Sequence, residues 1–434
     1  MSIAHAVRAP ESRPSNRGRT LVWGAFALLL VLAPQVFTSG LSITMLSQMG
    51  IAIIACLSYN MLLGQGGMLS FGHAVYTGLG AFVAIHALNS VSGGTLPIPV
   101  SLVPMVGGLA GMGFAVLFGY VTTRKAGTTF AMITLGLGEL VFAMSLMVPE
   151  FFGGEGGISG NRVVGQAVMG ITYGPAIQVY YLIAAYTFVS VVLMFAFTQT
   201  PLGRMLNAVR DNPERVEFVG YNPQRVRYTA FIIAGFFAGI SGGLGALNFE
   251  IVNAEVVGAA RSGAYLLFTF LGGATFFFGP IIGAVLMVLA FVLFSEFTKA
   301  WLLYLGLIFL FMVMYAPGGI ASLVMMNVRI AAFGKLRKLV WSYLALAVTA
   351  LVALTGAAAM VEMLYHLQLN AAMGANMPFA GVTLDVGSPR SWLGCAFIML
   401  LGMGLFEVCR RRFARQWSQV QTEIHDEIQR RESL

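Results

Sequence analysis

The sequence predicts an all-α, polytopic integral membrane protein with about ten to twelve transmembrane helices, some of them broken or re-entrant. Composition, a succession of long apolar runs and the placement of basic residues all predict it. Of 434 residues, 58% are hydrophobic and only 10% charged, against about a quarter charged in a soluble domain. That leaves too little polar surface to clothe a globule in water.

Runs long enough to cross ~30 Å of hydrocarbon lie at 21–38, 42–63, 68–88, 97–121, 128–148, 177–198, 229–248, 280–296, 299–316, 338–360 and 391–408. A shorter glycine-rich run at 263–278 is either a twelfth crossing or a re-entrant segment. With the N-terminus in the cytoplasm and the runs alternating, 21 of the 25 Lys and Arg fall inside. Only Arg162, Arg261, Lys299 and Arg390 fall outside. Cytoplasmic loops of membrane proteins carry this excess, so the net charge of +8 is topological and no nucleic-acid partner is expected. The basic residues before Leu21 imitate a secretory signal. No small-x-small cleavage site follows cleanly, however, and removing the span would invert everything downstream. An uncleaved first helix is expected, with both termini cytoplasmic.

Glycine is abundant, at 52 residues. Lipid does not drive helices together hydrophobically, and small residues permit the close backbone approach that does. Gly107xxxGly111 and Gly235xxxGly239xxxGly243 each align glycines on one helical face, which predicts helix packing within or between subunits. Cys56, Cys395 and Cys409 lie in or at the end of apolar runs with no metal-ligand or redox spacing, as packing residues do.

The segment 60–74 (NMLLGQGGMLSFGHA) interrupts a hydrophobic stretch with glycines and polar side chains. Backbone freed by such a break must be satisfied by protein or water, and broken helices commonly face a transporter's permeation route. Gln65, Ser70 and His73 are therefore candidate route-lining groups; a tight cytoplasmic turn capping two helices is the alternative. Glu139 sits near the middle of the 128–148 run, where an ionisable group costs at least ~2.5 kcal/mol on insertion scales. It is expected as a hydrogen-bonded strut or as a contact for a substrate ammonium. The glycine-rich loop 151–160 is expected to be a shaped outer loop for docking or gating. It lacks the Lys-Ser/Thr of a phosphate cradle.

The most informative segment is 200–222. Pro201 can open a helix, and Leu202, Met205, Leu206 and Val209 recur at helical spacing. Asp211-Asn212-Pro213 stops it and starts a second helix with Val216 and Val219 on its apolar face, and Gly220 fits the position that ends it. Two short amphipathic cytoplasmic helices are predicted, as a docking element, a force-transmitting element, or helices lying on lipid.

The motifs at 60–74 and 126–140, the loop 203–220, Gly272-Gly…Gly279-Pro-Ile-Ile-Gly-Ala284 and Tyr315-Ala-Pro-Gly-Gly-Ile320 resemble the LivM type of branched-chain amino acid ABC importer permease. The resemblance runs over about residues 40–325. It implies that 201–220 is a coupling loop seated in an ATPase subunit, with Gly203, Arg204, Ala208, Arg210, Asp211 and Gly220 as its functional positions. It also implies a second, homologous permease of the LivH type, a periplasmic solute-binding protein, a small polar organic substrate and location in the bacterial inner membrane. Independently, no Gly-x-x-x-x-Gly-Lys-Ser/Thr occurs, so no cofactor is expected in this chain, and ATP would be bound by a partner. Gly272-Gly-Ala-Thr-Phe-Phe-Phe-Gly279 is bulkier than the family's usual Gly-Thr pattern. No loop offers a metal cluster or nucleophile-base pair, so an enzyme is not expected.

The organisation read from the sequence is a basic cytoplasmic N-terminus (1–20), a permease membrane domain (21–325), an added membrane hairpin (326–409) and a cytoplasmic tail (410–434). In the tail, Phe413, Trp417, Val420, Ile424 and Ile428 form one apolar stripe. It is expected on the lipid surface, anchored by Arg410–Arg412, or packed on the ATPase or the partner permease.

Overall fold

The computed structural model is almost entirely helical and describes residues 16–163, 172–316, 318–369, 374–379 and 381–432. Its helices are α1 (Asn16–Val36), α2 (Gly40–Asn60), α3 (Ala74–Ser92), α4 (Val103–Thr122), α5 (Gly127–Met147), α6 (Ala176–Gln199), α7 (Pro201–Asp211), α8 (Pro213–Phe218), α9 (Pro223–Phe249), α10 (Ala259–Gly272), α11 (Gly279–Leu289), α12 (Trp301–Tyr315), α13 (Gly319–Ala332), α14 (Leu336–Leu369) and α15 (Pro389–Glu432). Among the described residues nine helices are long and apolar enough to cross a membrane. There are ten if α12 and α13, inclined by 52°, make one broken span. The 263–278 run is not a full crossing, because α10 stops at Gly272 after 14 residues, about 21 Å at 1.5 Å per residue. The chain forms two compact units, Met1–Thr269 with Gly283–Val288, and Phe270–Ile282 with Leu289–Leu434.

In the first unit α9 is central and packs on α4, α3 and α2. The expected glycine faces meet each other inside this chain. A Cβ on Gly239 would strike the Gly107 carbonyl, and one on Gly111 the Gly235 carbonyl. Gly80 of α3 joins the same contact, where a Cβ would lie 2.6 Å from the Gly239 Cα. Here helix association is backbone against backbone. The first helix is held on α6: Tyr180 donates to the Leu30 carbonyl at 2.6 Å, and Leu30 packs with Tyr180 and Ala184.

At the far end of α9 a short ladder pairs β1 (Ile158–Ser159) antiparallel with β2 (Ile251–Val252). The preceding glycine loop is shaped, as expected. Gly153, Gly154 and Gly157 have φ of 73°, 63° and 69°, and at Gly157 a Cβ would strike the Val252 carbonyl. Arg162 staples this region. Its guanidinium donates to the carbonyls of Tyr173 (2.9 Å) and Asn248 (2.9 Å) and pairs with Glu250 at 3.5 Å.

In the second unit α14 and α15 form a long antiparallel pair, in which Gly356 lies against the Cys395 and Met399 backbone. At one end sits the hairpin of β3 (Asn376–Phe379) and β4 (Val382–Asp385). Glu362, just past the apolar stretch of α14, accepts hydrogen bonds from Thr298 and Tyr304.

The tail corrects the sequence expectation. Instead of lying on lipid or reaching for another subunit, α15 runs unbroken for 44 residues and turns its stripe onto its own chain. Val420 and Ile424 are buried with Ile330 and Leu339, flanked by Phe413 and Trp417. The Ile428 side chain lies outside those described. Lys335 and Lys338 both pair with Glu423, at 3.1 and 2.9 Å. Periodicity finds the stripe but not its partner, which lies about 80 residues earlier in the chain. Burying a Val or Ile side chain is worth ~1.5–3 kcal/mol. Replacing both Val420 and Ile424 by Asp is therefore expected to free the tail to trypsin, whereas the wild-type tail resists. Equal digestion rates would contradict this packing.

Candidate functional site

The site begins where α6 ends. Three successive helices open with the same two-residue device, a capping side chain followed by Pro. Thr200, Asn212 and Asn222 accept the backbone N–H of Gly203, Arg215 and Arg225, each at 3.1 Å. The caps satisfy otherwise unpaired N–H groups, and Pro at the first helical position loses nothing because its N–H would have been unpaired. α8 ends on Gly220 at φ 89°. Gly220 N–H donates to the Glu217 carbonyl (2.8 Å) and Tyr221 N–H to the Val216 carbonyl (3.2 Å), the Schellman arrangement that needs a left-handed residue there. Both short helices are thus fixed in shape by local sequence.

Their inner face is Leu206, Val209 and Val216, all buried. Gly203 is buried too, packed so closely that a Cβ there would strike the Phe197 carbonyl. Arg204, Ala208, Asp211 and Gly220 lie on the exposed face. Val219, expected on the apolar face, is instead 72% exposed, beside Phe218 at 91% and Tyr221 at 50%. The helix is only six residues long, so its apolar positions diverge into a buried Val216 and an exposed Phe218–Val219–Tyr221 ridge.

Arg210 turns the other way. Its guanidinium pairs with Asp211 at 2.9 Å and donates to the Gly64 carbonyl. At Gly67 (φ 62°) a Cβ would lie 2.8 Å from the Arg210 Cγ. α7 therefore sits directly against the 60–74 break, bringing together two motif groups that sequence spacing leaves far apart. The break itself consists of a π turn over Met61–Gln65 followed by a non-helical return to α3. The return is pinned on three sides. Phe71 N–H donates to Thr134 Oγ1 at 3.1 Å, Ala74 N–H donates to Ser262 Oγ at 3.0 Å, and the His73 imidazole shares a 2.9 Å hydrogen bond with Ser58. The turn alternative is thereby corrected: Ser70 and His73 are fully buried within the bundle, not capping a surface turn. Yet Gln65 Oε1, Ser70 Oγ and His73 Nδ1 are buried with no hydrogen-bond partner among the described residues, as is the hydroxyl of neighbouring Tyr76. Each such group costs ~1–3 kcal/mol if it stays unpaired, a penalty relieved where water, a ligand or a second conformation supplies the partner.

Glu139 stands apart from that cluster. It is exposed on α5, and among the described residues its side chain has no hydrogen bond or ion pair, so it is not a strut within this chain. A further concavity lies between α2, α3, α9 and α10 near the β1–β2 end. It is lined by Ile51, Thr77, Ser241, Phe249, Arg261 and Tyr265, among others.

Residues 41–318 match the family described as the permease component of the branched-chain amino acid transport system. That is well over half of the chain, and the five motifs all fall within or at the edge of the match. The chain belongs to this family of ABC importer permeases. The permease is 29% identical over 332 residues to the high-affinity branched-chain amino acid transport permease LivM of Salmonella typhimurium, covering 71% of this chain and 77% of that one. It is 28% identical to LivM of Escherichia coli over 62% and 67% of the two chains. A fructose import permease, FrcC of Rhizobium meliloti, is 24% identical over 47% and 59%. No solved structure matches.

Sequence reasoning about the permease missed two features. The exposed ridge is masked because Phe218 and Val219 look like ordinary apolar positions. Arg261 is visible only as one of four cations on the wrong side of the charge asymmetry. That departure from the rule is the signal that finds it.

Proposed function

We propose that this permease moves small polar organic solutes, branched-chain amino acids or related amides and acids, inward across the bacterial inner membrane by alternating access. It would be driven by a separate ATPase that binds ATP and grips residues 201–220. A second permease of the LivH type completes the pathway, and a periplasmic binding protein delivers the solute. The carrying observation is the Arg210 bridge, since a push on the exposed ridge of α7 and α8 reaches the broken segment at Gly64 and Gly67 without an intermediate. Gly203, Arg204, Ala208, Arg210, Asp211 and Gly220 are the coupling positions, with Phe218, Val219 and Tyr221 added. Gln65, Ser70 and His73 belong to the moving segment, and their unpartnered polar atoms gain partners in the other access state or from solute. Glu139, exposed at mid-span, would be expensive against lipid. It faces the second permease or the solute between the two. ATP switches the access side only if the two states bind the nucleotide-loaded ATPase with different affinity.

Uptake into vesicles tests the assignment. With companion permease, ATPase and binding protein present, labelled solute should accumulate only with ATP, and Arg204→Glu should lower the rate at least ~10-fold, as expected when coupling contacts worth ~1.4 kcal/mol or more are lost. Uptake by this chain without any ATPase would establish a self-contained carrier instead.

A further inference from the structure

We propose, resting on the permease reading above, that Arg261 is the anion-recognition group of a solute cavity at the end of the bundle opposite α7 and α8. The solutes it admits carry a carboxylate on a small apolar body. The cavity's position follows from α9, whose first residues adjoin the short helices and whose last residues, Ser241 to Phe249, wall the cavity beside β2. Its lining is mostly apolar, with Ile51 and Phe249 among the walls and Arg261 as its one cation.

Arg162 and Arg261 are the two cations of this unit that the charge asymmetry places outside, and they differ in one respect. Arg162 is consumed by Glu250 and by carbonyls of the loop it staples. The Arg261 side chain makes no hydrogen bond or ion pair among the described residues, although it is partly buried. A guanidinium in that setting is an open bidentate partner for a planar anion, and carboxylate matches it in shape and charge.

The remaining polar groups suit the other end of a zwitterion. Thr77 and Ser241 spend their protons on the carbonyls of Ala74 (3.0 Å) and Ile51 (2.9 Å). What Ser241 leaves to the cavity is acceptor oxygen, available to a donor such as an ammonium or amide N–H; the Thr77 oxygen is engaged by the Tyr265 hydroxyl.

The cavity measures about 60 Å³, well below the ~300 Å³ at which ligand pockets begin, so it must widen to admit a solute. Its walls meet where a Cβ on Gly242 would strike the Thr77 carbonyl and one on Gly78 would strike Val257 of the turn before α10. Separation of α3 from α9 and from that turn opens it. Ser262, next to Arg261, holds the N–H of Ala74 at 3.0 Å, so the segment that touches Arg210 at one end is tied at the other to the residue beside Arg261. A push on α7 therefore has a continuous covalent and hydrogen-bonded route to the cavity.

The complete importer in nanodiscs tests this with phenylglyoxal, which modifies free guanidinium groups, read at Arg261 by peptide mass spectrometry. L-Leucine or benzoate should slow modification at least threefold, while L-leucinamide and benzamide should not. In vesicles, Arg261→Gln should lower uptake of whichever carboxylate the wild type imports at least tenfold, with partial recovery in Arg261→Lys. Absence of protection by both carboxylates, or carboxylate uptake at wild-type rates in Arg261→Gln, overturns the inference while leaving the permease assignment intact. Uptake that needs no ATPase overturns that assignment instead.

Discussion

Phe218→Asp should leave the permease folded yet weaken its association with the ATPase subunit about 30-fold or more. Phe218 is 91% exposed, so its loss removes no internal packing, and α8 keeps both its Asn212 cap and its Gly220 stop. A large aromatic presented to solvent on a short, rigid helix is the form that interface hot spots take, each worth ~2 kcal/mol or more, which is the stated 30-fold. Replacing it by a charge also places an uncompensated carboxylate in whatever pocket receives it. Titration of the ATPase onto nanodisc-embedded permease reads the affinity, and uptake should fall in parallel. Val216→Asp is the contrast: Val216 is buried under the same helix, so that variant should lose thermal stability as well as coupling. Unchanged ATPase affinity in Phe218→Asp would mean that the ridge is not the docking surface.

Gly239→Leu is expected to have the largest effect on folding. The atoms that a side chain would meet are the Gly107 carbonyl and the Gly108 Cα, both backbone, so no rotamer change can relieve the clash. Overpacking a core typically costs ~1–3 kcal/mol, and here the insertion separates α9 from α3 and α4 together. Purified yield and midpoint of thermal unfolding in detergent should both fall, the midpoint by several degrees. Gly113 of α4 has nothing within 4 Å of an added Cβ, and Gly113→Leu should unfold at the wild-type temperature. Equal stability of the two variants would remove the backbone contact as the organising feature of this bundle.

Much of this was legible in the chain itself, for reasons that are local. Capping residues and prolines fix the starts of α7, α8 and α9, and Gly220 fixes the end of α8. Twenty apolar residues in a row can be accommodated only by a membrane, and glycines spaced by four can only share a face. The motif order also sufficed to indicate the family.

Tertiary structure decided the pairings. The Gly107–Gly111 face meets α9 of the same chain and not another subunit, and the tail stripe finds Ile330 and Leu339 instead of lipid. Arg210 reaches Gly64, and among the described residues the Arg261 side chain has no hydrogen bond or ion pair while Arg162 does. The spacing of a sequence determines which residues share a helical face. What that face meets is set by the packing of elements tens to hundreds of residues apart, where one backbone contact or one unpaired charge separates a structural residue from a functional one.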